Sequence, residues 1–248
     1  MIDVASTRAE VRPAAVAVVV DVLRATSSIV QALSSGYERV LCAASIERAR
    51  ELRAPGRVLA GERRCVPPPD FDLGNSPGGF ERPRGSELIL ATTNGAPALV
   101  AATESAERVL VAALLNLDAV TAALAGEEDV LLVCAGTDGR LALEDVYVAG
   151  RLALRLPGPR TDAARAAECV AAHYPSPIEA LRDSADARAL AAVGLQDDLL
   201  ACARESVIDA VPEAVSGAAG VAVVTENPET LTYANAGRSP LNTLASEP

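Results

Sequence analysis

Short runs of small apolar residues recur along the chain, and most end at a polar or glycine-bearing turn that leads into a segment of helical spacing. The clearest case covers 16–36: VAVVV ends at Asp21, a turn holding Arg24 follows, and Thr26, Ser27 and Ser28 open an apolar-periodic stretch that stops at Gly36. A bounded apolar run this short suits a buried strand, so the unit predicts strand, polar turn and helix. Ser28 and Gln31 have capping-box spacing, and Gly36 suits the left-handed residue after a helix. The same alternation returns downstream. RVLCAA (39–44) leads to a helix over 45–53 capped by Ser45, and RVLAG (57–61) ends at Glu62. ELILATT (87–93) gives way at Asn94-Gly95 to a helix from Pro97, and RVLVAAL (108–114) to a helix that Asn116 can cap. VLLVCAG (130–136) turns at Thr137-Asp138-Gly139 into a long helix that Pro157-Gly158-Pro159 stops. Residues 161–206 read as helical in two or three pieces, broken at Pro175, Pro177 and Gly194; 220–226 is one more buried strand, and the tail from Asn227 holds no element. Alternation with short connections predicts an α/β fold: three layers, α/β/α, around a largely parallel sheet.

One stretch breaks the pattern. Residues 62–85 are rich in Pro and Gly, lack periodicity, and hold both phenylalanines of the chain. A connection this long inside a compact domain predicts a functional loop, here packed down by Phe71 and Phe80. The chain has 248 residues, half of them hydrophobic. That suits one α/β domain, or one with two lobes: an alternating lobe (1–157) and a mainly helical segment (158–248) that returns one strand to the sheet.

Composition narrows the function. No apolar run approaches the ~20 residues of a membrane helix, and the N-terminal segment lacks an apolar signal core, so a cytoplasmic protein is expected. A net charge of −11 argues against nucleic-acid binding. The five cysteines are widely spaced without a C-x-x-C pair, which indicates neither a zinc knuckle nor a disulfide framework. Lysine is absent, so all 22 basic residues are arginine and no catalytic scheme can use an amine side chain. The single histidine, His173, sits near a predicted helix end, where the dipole explains it better than catalysis does.

In open α/β sheets, ligands lie beyond the carboxyl ends of the strands. Those ends carry Asp21 and Arg24, Glu62 and Arg63, Thr92 to Gly95, and Cys134 to Arg140. Carboxylates on separate loops suit a hard cation, and arginines with turn amides suit phosphate. Glu144 and Asp145 open the long helix and point roughly 100° apart, so only one should face a given site squarely. Two motif readings compete. Asp21 followed by Thr26 has part of a haloacid-dehalogenase nucleophile motif, but Leu23 occupies the place of its second aspartate. Cys134 and Arg140 have the C-x5-R spacing of cysteine phosphatases, although Cys134 ends an apolar strand and reads equally as a buried structural thiol.

Four segments together, VVVDVLRATSSI, LAGERR with FDLGNSP, ATTNGAPAL and CAGTDGRLALEDVYVAG, resemble the 2-phosphosulfolactate phosphatases (ComB type). The resemblance spans roughly residues 16 to 150, and GLQDDLLACARESVIDAVP is similar to the family's C-terminal segment. It implies a magnesium-dependent phosphatase of coenzyme M biosynthesis that converts 2-phospho-3-sulfolactate to 3-sulfolactate and phosphate. Asp21, Glu62 and Glu144 or Asp145 are then expected to hold Mg2+. Arg24, Thr26, Ser27, Arg63, Asn75, Asn94 and Gly95 are expected to bind anionic oxygens, with Asp21, Arg24 and Glu62 as the catalytic group. Attack by water is expected rather than a covalent nucleophile, and a homodimer is possible within this picture. The chain departs from the family where Arg64-Cys65 replaces the glycine after G-E-R, where Pro67-Pro68-Pro69-Asp70 precedes Phe71, and where Ala142 replaces the serine before L-E-D. The alternatives are a cysteine phosphatase using Cys134 and Arg140, and a non-catalytic anion-binding protein of the same fold.

Overall fold

A computed structural model describes residues 1–226. Among these, nine strands make one sheet: β1 (Ile2–Ala5), β2 (Ala14–Val20), β3 (Arg39–Ala43), β4 (Arg57–Gly61), β5 (Glu87–Ala91), β6 (Ala106–Ala112), β7 (Val130–Cys134), β8 (Glu213–Ser216) and β9 (Val221–Thr225). Their order is β1-β7-β2-β6-β8-β9-β3-β5-β4. Two parallel blocks, β1-β7-β2-β6 and β3-β5-β4, flank the antiparallel hairpin β8–β9. The strand expected near 220–226 is therefore present as β9, but it runs against its neighbours. The expectations for the tail beyond Glu226 lie outside the described residues.

The helices are α1 (Ala25–Ser34), α2 (Ile46–Glu51), α3 (Gly95–Ser105), α4 (Leu117–Ala123), α5 (Leu143–Arg155), α6 (Asp162–His173), α7 (Pro177–Asp183), α8 (Ala185–Ala192) and α9 (Asp198–Cys202). Side chains alternate across each strand, which assigns the faces. Ala17 and Val19 of β2 pack with Ile29 and Leu33 of α1 and Ala98 and Leu99 of α3. Val16, Val18 and Val20 of the same strand pack with Val120, Leu152 and Ala167 from α4, α5 and α6. Beyond the hairpin, α2 and the residue after it cover the second face through Ala49 and Leu52 against Leu41, Leu59 and Ile89. The result is the expected three-layer α/β/α sandwich. Each of these Val, Leu and Ile side chains contributes about 1.5–3 kcal/mol on burial.

Local chemistry sets the element ends. Ser45 caps α2 as expected, its hydroxyl accepting from the Arg48 N–H at 3.1 Å. The capping box expected at Ser28 does not form, because α1 begins earlier, at Ala25, with Asp21 Oδ1 accepting the Ala25 N–H at 3.0 Å. Asn116 precedes α4 but turns back, accepting from Ala113 N–H and donating to the Val111 and Ala210 carbonyls.

The 62–85 loop is ordered. Phe80 is completely buried with α1 residues, and Phe71 packs against the Leu59 cluster. The N–H groups of Asp72 and Leu73 donate to Leu59 O, while Asp72 Oδ2 accepts from Leu59 N–H at 2.8 Å. The loop so occupies the free edge of β4, which would otherwise expose unpaired backbone groups.

Candidate active site

The loops that leave β2, β4, β5 and β7 meet around one cavity, although the two parallel blocks run in opposite senses, and α8 closes over them. They enclose a cavity of about 440 Å³ lined by Asp21, Arg24, Glu62, Arg63, Arg64, Asn75, Thr93, Asn94 and Asp186 among others. The loops after β2 and β5 touch although their strands lie far apart in the sheet. α3 crosses the face beneath β2, β6, β8, β9 and β3, and brings Gly95 against Asp21. A β-carbon at Gly95 would lie 2.5 Å from Asp21 Oδ2, so this approach requires glycine. Gly95 thus supports Asp21 and does not itself line the cavity.

Two tight turns border the cavity. In each, backbone bonds run both ways between the outer residues, Arg63 with Val66 and Thr137 with Arg140. The central residues are left-handed: Arg64 (φ 53°) and Cys65 (φ 66°) in one, Asp138 (φ 52°) and Gly139 (φ 73°) in the other. Asp-Gly suits such a turn; Arg-Cys does not and must be held. Glu62 does that, its Oε2 accepting from Cys65 N–H at 2.9 Å while Oε1 accepts from Thr93 N–H at 2.7 Å. The turn presents Arg63 and Arg64, both exposed, and neither makes an ion pair or side-chain hydrogen bond among the described residues.

Arg24 is different. Its side chain is 2% exposed and its Nη1 contacts Asp198 Oδ2 at 2.6 Å and Ser76 Oγ at 3.0 Å. Nη2 reaches the Cys65 carbonyl at 3.3 Å. This guanidinium lines the cavity but also ties α1 to α9 and to the 62–85 loop. The hydroxyls of Thr26 and Ser27, expected to bind anions, are fully buried and spent on the Asp21 and Val22 carbonyls. Both brace the Asp21 turn, and neither lines the cavity.

The carboxylates crowd together without matching cations. Burial, with the charges of Asp186 and Glu62, pushes Asp21 up to about 7. Burial and the neighbouring Asp186 raise Glu144 to about 8. Asp145 is also held well above its ordinary range, by burial first and then by Asp21 and Glu144. Its two oxygens accept from Val22 N–H at 2.9 Å and Gly136 N–H at 3.1 Å, so it joins the β2 and β7 loops. Glu144 lies beside Asp186 and Asp145 beside Asp21, and neither lines the cavity. Among the described residues, no three Asp, Glu, His or Cys side chains stand close enough to cage one ion directly. The expected set of Asp21, Glu62 and either Glu144 or Asp145 is not drawn into such a cage, because Glu62 and Asp145 each give both oxygens to backbone amides.

Asp186 was not legible beforehand. It stands in the first turn of α8, where an acid ordinarily signals nothing beyond the dipole. Only the docking of α8 carries it to the cavity, where Thr137 Oγ1 donates to Oδ2 at 2.7 Å. Cys134 corrects the cysteine-phosphatase alternative. Its thiol is completely buried in the apolar cluster, burial and the nearby acids push it well above its usual range, and Arg140 is exposed on its turn. Neither residue lines the cavity. His173 lies exposed in the last turn of α6, as expected.

Comparison with known proteins bears on the same residues. The family model for 2-phosphosulpholactate phosphatase matches residues 3–217. The chain belongs to this family. It is 41% identical over 209 residues to the probable 2-phosphosulfolactate phosphatase of Thermotoga petrophila, covering 81% of this chain and 89% of that one. The proteins of the same name from Thermus thermophilus and Deinococcus radiodurans are 41% and 40% identical over 218 and 214 residues. The matches cover 84% and 82% of this chain, and 91% and 88% of theirs. The matched span runs past the strands and loops that build the cavity and takes in α8 and α9.

Proposed function

We propose that this protein is a magnesium-dependent phosphatase of small polyanionic phosphoesters, and that 2-phospho-3-sulfolactate is hydrolysed to 3-sulfolactate and phosphate. One observation carries the reading: the cavity is lined both by guanidinium groups without an ion pair among the described residues, Arg63 and Arg64, and by the carboxylates of Asp21, Glu62 and Asp186. The arginines suit a ligand with several negative charges, and the carboxylates suit a hard cation.

The donor set suits magnesium. It prefers oxygen ligands, keeps several waters and needs only one or two carboxylates, so a complete protein cage is not required. Asp21 Oδ2 accepts no hydrogen bond among the described residues, and Asp186 and Glu144 share its field. Asp21 and Asp186, the two of them that line the cavity, would hold the ion, which when bound would neutralise phosphoryl charge and polarise the reacting bonds. The remaining roles belong to the chain. Arg63 and Arg64 bind anionic oxygens, Asn94 offers its amide beside the α3 N-terminus, and Leu23 and Leu190 limit water on the apolar side. Arg24 holds the 62–85 loop against α9.

The test is phosphate release from 2-phospho-3-sulfolactate, 2-phospholactate and simple phosphomonoesters, with magnesium and with chelator. The highest kcat/KM is expected for the sulfonate-bearing ester, with loss of turnover in chelator. Release from none of them in magnesium would sink the reading, and metal-independent release would sink the metal part.

A further inference from the structure

The side chain of Asn75 is buried against the cavity with nothing to bind. The residue is 3% exposed and lines the cavity, and Oδ1 has no hydrogen-bond partner among the described residues. An unpaired buried amide oxygen has lost its hydration with nothing in exchange. The backbone holds it there firmly. Ser28 Oγ donates to the Asn75 carbonyl at 2.8 Å, and the next residue, Ser76, is fixed by Arg24 and Asp198. Thr93, which also lines the cavity, has a second buried oxygen, Oγ1, without a partner among the described residues.

The chemistry of Oδ1 limits what completes it. It is an acceptor, and an ionised ester bearing phosphate, carboxylate and sulfonate offers acceptors only. From the ligand side, the donor is water, or the alcohol once it has been released. We infer that Asn75 is a catalytic residue whose Oδ1 accepts a hydrogen bond from the attacking water and turns the water's lone pair toward phosphorus, with Thr93 Oγ1 as its neighbour in that pocket. The inference rests on the phosphatase reading above. In the step, the water oxygen bonds to phosphorus while the ester P–O bond breaks and its electron pair stays on the ester oxygen. One water proton remains on the phosphate and the other ends on the released alkoxide, so ester and water yield alcohol and hydrogen phosphate. The amide neither gains nor loses a proton; it orients, as water-positioning amides do in other phosphoryl transfers.

Asn75→Leu tests this, because it removes the acceptor and leaves an apolar side chain of similar volume. The expected result is a fall in kcat on the order of 100-fold, the scale for deleting one group aligned in the transition state, with KM nearly unchanged. The melting temperature should hold or rise, since an unpaired buried oxygen has been removed. With methanol present as a competing nucleophile, the ratio of methyl phosphate to phosphate should rise above that of the unmodified protein. Asn75→Asp keeps an oxygen in the same place and should recover part of the lost kcat; if the leucine variant does not fold, this variant decides, and complete loss in a folded Asn75→Asp protein overturns the inference. A raised KM with kcat preserved would make the amide a substrate-anion donor and overturn the water role. A lowered melting temperature with kcat and product ratio preserved would make it structural, with the same consequence. Absence of turnover in the unmodified protein would remove the phosphatase reading first, and this inference with it.

Discussion

An alanine at position 95 has no room for its methyl group, which would meet Ala25 Cβ at 2.4 Å and Asp21 Oδ2 at 2.5 Å. Gly95→Ala should cost about 1–3 kcal/mol in a urea titration, the usual price of overpacking, and should lower kcat because Asp21 must give way. Unchanged kcat would mean that the position of Asp21 is unimportant to turnover. Arg63 is the opposite case, exposed and without an ion pair or side-chain hydrogen bond among the described residues, so Arg63→Ala should leave the melting temperature alone. The loss should appear in kcat/KM, by about 1.5–3 kcal/mol, the range for a hydrogen bond to a charged group. Unaltered kinetics would reduce the 63–66 turn to a structural cap of the sheet edge. Cys134→Ser separates packing from chemistry in a third way. The new hydroxyl is buried at the end of β7, so stability should fall by about 1–3 kcal/mol while most turnover survives. A loss of several orders of magnitude in a folded variant would restore the thiol mechanism.

Among the elements, the 62–85 loop, α1 and α9 are joined by one buried ion pair. Arg24 and Asp198 have side chains 2% and 12% exposed and stand 2.6 Å apart, with Ser76 Oγ donating to the same carboxylate oxygen at 2.8 Å. Asp198→Ala leaves the guanidinium buried and uncompensated, for which a loss of about 3–5 kcal/mol is expected. Replacing both, as Arg24→Met with Asp198→Leu, should return much of that stability, whereas equal losses in single and double variants would show that the pairing is incidental. This connection spans 174 positions of sequence, and that separation explains what was legible and what was not. β2, β3, β4, β5 and β7 could be read because each is a local apolar run ending at a polar turn. Their ends delivered Asp21, Glu62, Asn94 and the acids opening α5 to one region. β1 and β8, four residues each, carry too little pattern to stand out. The antiparallel sense of β9 follows from its hairpin with β8 and from no property of its own sequence. Thr26 and Ser27 looked like anion ligands because hydroxyls after a strand often are. Whether a hydroxyl faces a ligand or a carbonyl depends on the start of α1, which Asp21 moved to Ala25.

At the scale of the whole molecule, the site is a store of negative charge inside a chain that is already acidic. Asp21, Glu144, Asp145 and Asp186 repel one another, Glu62 adds to their field, and the nearest buried cation, Arg24, is paired with Asp198. Folding raises Asp21 from its ordinary 3.8 to about 7 and Glu144 from 4.5 to about 8. Between those limits the folded protein retains protons that the unfolded chain has released. Stability then falls as pH rises, because its slope follows the protons bound unfolded minus those bound folded, here a negative number. Each retained proton contributes on the order of 1 kcal/mol per pH unit. In chelator, the melting temperature should therefore decline from about pH 5 to pH 8. Magnesium added at pH 8 should restore it, since a cation bound only to the folded form stabilises by mass action and replaces the missing protons. The same addition near pH 5 should do little, because protons already occupy the site. A flat profile in chelator would mean that these carboxylates are not crowded in solution as they are in the structure. A decline that magnesium fails to reverse would keep the crowding and remove the metal from Asp21 and Asp186.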